Sequence, residues 1–344
     1  MQKRQPTMAD LARELGVSTA TISRALKGYP DISDETKRRV IELAERLNYR
    51  PNAFAASLRR NESKIIGVIV PEVVNHFFSQ VIKGIMEVAY DAGFRVMLCQ
   101  SDERYEKEVA DAEALMDSRV DGMLVSLSHT THKLDHFHQF QDLGAPIVFF
   151  DKVPMEFANS SKVIVDDKIG AMNAMKHLFQ QGCKKIAHIG GPFIAYTAKN
   201  RFEGYKEALE FAGVTYDPSL VFECSQVTHE EGETFASMLI EKHPDVDGIF
   251  CVTDDVAIGA LSKLKKLGKV IPDDIAIVGF SDWKMAKVVE PALSSVYQPG
   301  YEMGKRATEI LLNEIQTLKK EMPVTHQVVT LTTDLRVRAS SQRI

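Results

Sequence analysis

The sequence predicts an α/β protein with a small all-helical unit at its N-terminus, and three observations predict it. The first 50 residues carry capped, amphipathic stretches of helical period and no strand-like run. From Lys64 onward, short apolar runs alternate with amphipathic helical stretches. Charge divides at the same place: residues 1–60 hold 12 Lys and Arg against 7 Asp and Glu, and the remainder holds 30 against 40, in a chain of net charge −5. A basic arm on an acidic body predicts that the arm alone meets a polyanion.

Thr7 with Asp10 has the spacing of a capping box, and Met8, Leu11, Ala12 and Leu15 then recur on one helical face. Gly16 ends that helix. Ser18 caps a second helix over residues 19–26, whose apolar side is Ile22, Ala25 and Leu26. Gly28 and Pro30 break the chain, and Ser33 caps a third helix with Val40, Leu43, Ala44 and Leu47 on one face. Helix, glycine-containing turn and helix at this spacing is the helix-turn-helix pattern. After Pro51, residues 52–58 make about two alanine-rich turns, too short to be stable alone.

In the body, apolar runs at 65–70, 96–99, 122–125, 147–150, 186–189, 249–252 and 277–280 read as buried strands. Helical stretches at 78–92, 106–117, 171–181 and 256–267 lie between them. That alternation predicts parallel sheets covered by helices on both faces. The runs near 148 and 278 lead into Asp151 and Ser281, at the carboxyl ends of strands, where open α/β sheets bind ligands.

Composition narrows the class. Apolar content of 44% with 26% charged residues is that of a soluble globular chain. No run approaches the ~20 apolar residues of a membrane span. The polar start, residues 1–7, lacks the apolar stretch of a secretory signal, so a cytoplasmic protein is expected. Cys99, Cys183, Cys224 and Cys251 are scattered without a C-x-x-C pair, which predicts reduced, buried thiols. The histidines of HTTHKLDHFH (His129, His132, His136 and His138) invite a metal, but no cysteine or carboxylate arrangement completes a site; solvated or ligand-proximal histidines are expected, with no metal and no cofactor. Dinucleotide, P-loop and nucleophile-elbow motifs are absent, and no enzyme is expected.

The second predicted helix opens with the residue types that meet DNA. Arg24 can pair bidentately with guanine, and the methyls of Thr19 and Ala20 suit thymine. The hydroxyls of Ser18, Thr21 and Ser23 suit phosphates, or serve as local caps.

The stretch TMADLARELGVSTATISRALKGYPDISDETKRRVIELAERLNYRPNAFAASLRRNESKIIGVIVP, residues 7–71, resembles the LacI/GalR repressor family. The similarity runs on through DGMLVSLS, PIVFFDK, KKIAHIGGP, NRFEGYKEAL, GIFCVTDDVAIGAL, IPDDIAIVGFSD, LSSVYQPGYEMGKRA and LRVRAS, in the family's order and over essentially the whole chain. The resemblance implies a headpiece over 1–50, a hinge helix and linker over 51–63, and a body over 64–344 like a periplasmic sugar-binding protein. The body would hold two doubly wound parallel-sheet subdomains, about 64–161 with 294–322 and about 162–293 with 323–340.

The resemblance places Thr19 and Ala20 where operator preference varies and Arg24 at a base-contacting arginine; Thr7 and Asn52 join the DNA-contacting set. Residues 52–58 match the hinge helix, with Leu58 as the leucine that wedges into the minor groove and Arg59 supporting it. For the effector it implies Phe77, Phe78, Asp151, Thr197, Arg201, Asp254, Asp255, Ser281 and Asp282. Aromatic faces with carboxylates and an arginine suit sugars or bases. Ser281 departs from the aspartate many relatives carry. Bland alternatives stand beside these roles: Phe77 and Phe78 as core, Asp151 or Asp255 as caps, Arg201 as a structural ion pair.

The expected protein is a homodimeric transcriptional regulator, a repressor of carbohydrate-utilisation genes, on a pseudo-palindromic operator. A sugar-like effector alters its DNA affinity, with a nucleobase or nucleoside as the alternative. The chain ends without leucine heptads, which favours a dimer. A solute-binding protein and a sugar-active enzyme are the rivals from other classes.

Overall fold

The computed structural model describes residues 6–49 and 62–343. The chain divides into two compact units, Met1–Ser63 and Lys64–Ile344. Asn52, Leu58 and Arg59 lie outside the described residues.

In the first unit, α1 (Met8–Leu15), α2 (Thr19–Leu26) and α3 (Asp34–Arg46) each begin at a capping side chain. Thr7 and Asp10 form a reciprocal capping box, with the Asp10 amide donating to Thr7 Oγ1 at 3.3 Å and the Thr7 amide to Asp10 Oδ2 at 2.8 Å. Gly16 closes α1 at φ 68°, a left-handed conformation that a Cβ disfavours. Leu11, Ile22, Val40 and Leu43 lock the three helices together. So small a core leaves little surplus stability, and each cap contributes about 1 kcal/mol to it.

The body opens with β1 (Ile65–Val70), α4 (His76–Asp91), β2 (Arg95–Gln100), α5 (Tyr105–Asp117), β3 (Met123–Val125), α6 (Asp135–Asp142), β4 (Ile147–Phe150) and β5 (Ser161–Val165). It continues through α7 (Asp167–Gln180), β6 (Ile186–Gly190), α8 (Tyr196–Phe211), β7 (Val221–Glu223), α9 (His229–Lys242), β8 (Gly248–Cys251), α10 (Asp254–Lys266), β9 (Ala276–Ser281) and β10 (Ser294–Tyr297). Then α11 (Gly300–Lys319) leads to β11 (Val328–Leu331) and β12 (Asp334–Arg336).

Two six-stranded sheets result, ordered β11-β5-β4-β3-β1-β2 and β12-β10-β9-β8-β6-β7. The first is parallel throughout; in the second only the edge strand β12 runs antiparallel, against β10. Each half repeats one winding, with its order reversing between its first and third strands, β1/β3 and β6/β8. Crevices at the carboxyl ends of strands at such a point are where doubly wound sheets take ligands. In the first half α4 and α11 touch backbone to backbone: a Cβ on Gly304 would fall 2.0 Å from the Val81 carbonyl oxygen.

The crossovers fall later than the resemblance implied. Residues 161–165 are wholly within the first sheet, where Val163 pairs with Phe150, so the first crossing comes after Val165. Residues 294–297 belong to the second sheet, and 328–331 return to the first. Ser294 and Ser295 look like linker residues, yet both are fully buried because neighbouring groups satisfy their hydroxyls. Ser294 Oγ donates to the Arg338 carbonyl at 2.9 Å and accepts from the Arg338 amide at 2.7 Å.

Candidate functional site

On the headpiece, the residues that begin α2 form one exposed face. Ser18, Thr19, Ala20 and Arg24 are exposed, and Thr21 and Ser23 are half-buried. Ser18 Oγ accepts from the Thr21 amide at 3.0 Å and lies 2.9 Å from Thr21 Oγ1, so these two hydroxyls are engaged in capping. Thr7 is likewise committed to its capping box. Arg24 is ion-paired with Asp31 and sits 5.6 Å from the centre of the Tyr29 ring. Thr19 and Ala20 stand clear at the helix N-terminus, where unpaired amides favour an anion.

In the body, the strand ends of both halves carry a cluster of buried charges. Arg201, from the first turns of α8, donates Nε to Asp167 Oδ1 at 2.8 Å and Nη1 to the Val252 carbonyl at 2.7 Å. Its guanidinium carbon lies 3.7 Å from the centre of the Phe280 ring. Burial pushes the Asp167 carboxyl up to about 7, against the pull of Arg201. Asp151 follows β4 in a left-handed conformation, φ 58°, and burial raises its carboxyl while Lys152 and Arg201 oppose that rise. Ser281 and Asp282, at the end of β9, also take positive φ, 115° and 50°. Strained backbone of this kind concentrates at binding sites.

Not every expected effector residue faces open volume. Phe77 and Phe78 are 7% and 5% exposed and pack in the first half's core beside Val81 and Met303, in edge-to-face contact with each other. Asp254 binds the frame of the second half: Ser295 Oγ donates to it at 2.5 Å and the Trp283 amide at 2.6 Å, and burial pushes its carboxyl up to about 7. Asp282 pairs with Arg338, and Ser281 Oγ donates to Gln298 Oε1 at 3.0 Å. Thr197 is buried at the start of α8. Asp255 is half-buried and faces Glu72 of the other half, whose largely solvent-facing carboxyl is raised by partial desolvation and by the Glu103 and Asp255 charges.

The open volume lies beside this cluster. A cavity of about 480 Å³ is walled by the segments after β3 and β4 and by the start of α8, with Ser128, His129, Lys152, Tyr196 and Asn200 among its lining residues. The walls are fixed from behind. Lys152 is ion-paired with Glu103, whose other oxygen accepts the His129 amide at 2.7 Å. Burial would raise the Glu103 carboxyl, but Lys152 and His129 outweigh it and hold it below the usual range. Fully buried Glu108 accepts the Ser128 amide at 2.7 Å, the Thr131 hydroxyl at 2.9 Å and His136 Nε2 at 3.2 Å. Burial, then Lys152, pushes His129 down to about 3, so its imidazole is neutral.

Sequence periodicity does not single out these wall residues, because they lie on loops and on the first turns of α8 and share no repeating face. The HTTHKLDHFH run was the available signal. His129 and His132 line the cavity, whereas His136 is a buried partner of Glu108 and His138 stacks on Phe157. Among the described residues, no group of three or more His, Cys, Asp or Glu converges as a metal would need, and no helix is long and apolar enough to cross a membrane.

Comparison with known proteins agrees with both units. Residues 7–52 match the family described as bacterial regulatory proteins, lacI family, and residues 175–341 match a periplasmic binding protein-like domain. The chain is 36% identical over 324 residues to the ribose operon repressor of Halalkalibacterium halodurans, covering 92% of this chain and 94% of that one. It is 33% identical over 341 residues to the HTH-type transcriptional repressor PurR of Haemophilus influenzae, covering 98% and 99%. Among solved structures, the complex of the transcriptional regulator CelR with cellobiose is similar with a TM-score of 0.72 at 28% identity, covering 97% and 99%. The chain is a member of the LacI family of bacterial regulatory proteins, a DNA-binding transcriptional regulator and not an enzyme.

Proposed function

We propose that this regulator is a cytoplasmic homodimeric repressor that binds a pseudo-palindromic operator, and that a neutral, hydroxyl-rich sugar in the body cleft alters its operator affinity. The carrying observation is that the cleft's buried cations are already paired, Arg201 with Asp167 and Lys152 with Glu103. A phosphate or carboxylate entering there would find Arg201 and Lys152 already compensated, with only the exposed Lys199 at the cavity wall, and would meet Asp151, Glu72 and Asp255. Carboxylates instead accept hydrogen bonds from sugar hydroxyls. The relatives and structures whose names mention ribose and cellobiose support the same class.

On the DNA, Thr19, Ala20 and Arg24 read base edges in the major groove. Ser18, Thr21, Ser23 and Thr7 set the helix against phosphates. Asn52, Leu58 and Arg59 serve the minor groove, with Leu58 as the wedge. A nucleobase effector is the second choice, carried by the PurR relatives. It needs an aromatic face to stack on; Phe77 and Phe78 are nearly closed off, which leaves Tyr196 on the cavity wall for that role.

Thermal unfolding of the full chain with ribose, glucose, cellobiose, hypoxanthine and glucose 6-phosphate tests the effector class, since a cleft ligand stabilises by mass action. A rise in midpoint with a neutral sugar alone is expected. A rise with hypoxanthine or the phosphate alone contradicts it.

A further inference from the structure

We propose that Glu103 is the positioning residue that decides which charge the cavity accepts: from behind the wall it masks the Lys152 ammonium, and a chain lacking that one carboxylate takes up phosphate and phosphorylated ligands. This rests on the exclusion of anions proposed above and assigns it to a side chain that itself touches no ligand.

The division of labour between two side chains carries the inference. Lys152 lines the cavity and Glu103 does not. Lys152 is buried; its ammonium is ion-paired with Glu103 Oε1 and lies 5.7 Å from the centre of the Phe78 ring. Asp151 and Glu72 also feel the Lys152 charge, but burial raises both carboxyls, whereas Glu103 is held below the usual range. Glu103 is therefore the anion that balances this cation. The other charges on the wall oppose one another, Lys199 against Glu156 and Glu203, so the state of Lys152 sets the balance an incoming group meets.

The backbone around Glu103 is built to aim it. Asp102 and Glu103 are consecutive non-glycine residues at positive φ, 52° and 56°. Such strain persists only where the surroundings over-determine it. Here the Ser101 and Asp102 amides donate to the Val70 and Pro71 carbonyls, each at 3.0 Å. The Thr130 hydroxyl donates to the Glu103 carbonyl at 3.0 Å and accepts the Tyr105 amide at 2.8 Å. Glu103 Oε2 takes the His129 amide at 2.7 Å, which turns Oε1 toward Lys152. Glutamine at 103 keeps this shape and an oxygen for the His129 amide, but carries no charge. A buried ammonium without its counter-ion is strongly destabilising, and an anion arriving through the cavity restores the balance. His129, pushed down to about 3 by burial and then by Lys152, stays neutral and adds no competing cation.

Thermal unfolding and calorimetric titration of the full chain, of Glu103→Gln and of Glu103→Gln with Lys152→Met test this, with inorganic phosphate and glucose 6-phosphate as probes against sodium chloride of matched ionic strength. Glu103→Gln is expected to melt lower than the parent in chloride and to bind one of the two phosphates about tenfold or more tighter than the parent does. That phosphate should raise its midpoint by mass action, and the double variant should lose the gain. If Glu103→Gln is unfolded in chloride, recovery of its folded structure by the phosphate, with none in the double variant, is the same expected result. A Glu103→Gln chain that binds phosphate no better than the parent, or is not recovered by it, overturns the inference and leaves the proposed effector class standing. A double variant that binds as tightly as the single one puts the anion away from Lys152 and also overturns it. A parent chain that already binds the phosphates as tightly as Glu103→Gln overturns the exclusion of anions proposed above, and this inference with it.

Discussion

Arg201 Nε donates to Asp167 Oδ1 at 2.8 Å with both side chains almost wholly buried, joining the first turns of α8 to the start of α7 where the chain crosses between sheets. The guanidinium is held in three directions, by Asp167, by the Val252 carbonyl and by the Phe280 ring. Removing one partner of a buried pair leaves an uncompensated charge, at a cost of about 3–5 kcal/mol. Arg201→Ala should lower unfolding stability on that scale and abolish the sugar-induced thermal shift. The Arg201→Ala, Asp167→Ala double variant should be more stable than Arg201→Ala alone. A double variant that is less stable by the sum of the two single losses would show that the side chains do not act as a pair.

Asp167 and Asp254 give the stability a pH signature. Burial raises both carboxyls to about 7, well above the unfolded value of 3.8. The folded state then binds more protons than the unfolded state between those limits. Their contribution is fully present below about 4 and is lost as pH rises through about 7. Asp254→Asn cannot ionise, so its stability relative to the parent chain should improve as pH rises from 5 to 8. Denaturant melts at several pH values measure this, and a difference independent of pH would refute it.

In the headpiece, Arg24 is tied to Asp31 and must leave it to reach a base. Such an exposed pair is worth about 0–1 kcal/mol, so releasing it is inexpensive. Arg24→Ala should cost about 1–3 kcal/mol of specific binding and relax one half-site position. Asp31→Asn, which frees the guanidinium, should tighten binding or leave it unchanged. Weaker binding by Asp31→Asn, measured by anisotropy on a selected operator, would assign Asp31 a role in presenting Arg24.

Much of this architecture is legible in the sequence, for definite physical reasons. Thr7, Ser18 and Ser33 announce three helix starts because a side-chain oxygen at an N-cap satisfies a free amide, and all three caps form. The long apolar runs mark the central strands because both faces of a parallel sheet are covered. What is hidden is long-range. The strand at 294–297 begins with two serines whose burial depends on Arg338, Ser340 and Asp254, far away in the chain. The strands at 328–331 and 334–336 sit at sheet edges and alternate in exposure, so neither shows an unbroken apolar run. In the cleft, strand-end positions such as Asp151 and Ser281 were readable, but the wall made by Ser128, His129 and Asn200 lies on loops and helix starts assembled from both halves.

Leu58 lies outside the described residues, and its proposed role has a clear consequence for DNA. An apolar side chain inserted between base steps kinks the duplex and gains wrapped protein surface. Leu58→Ala should reduce operator bending and specific affinity while effector affinity stays within about twofold. Cyclisation or energy-transfer measurements of bend angle test this, and an unchanged bend would remove the wedge.

The central claim is that sugar in the cleft and operator on the headpiece are linked in one free-energy cycle. Operator affinity, read by fluorescence anisotropy on a duplex selected by the chain itself, should be measured with and without saturating sugar, and sugar affinity with and without operator. The account predicts a change of about 5–150-fold, equal in both directions of the cycle. A sugar that stabilises the body yet leaves operator affinity unchanged would contradict it.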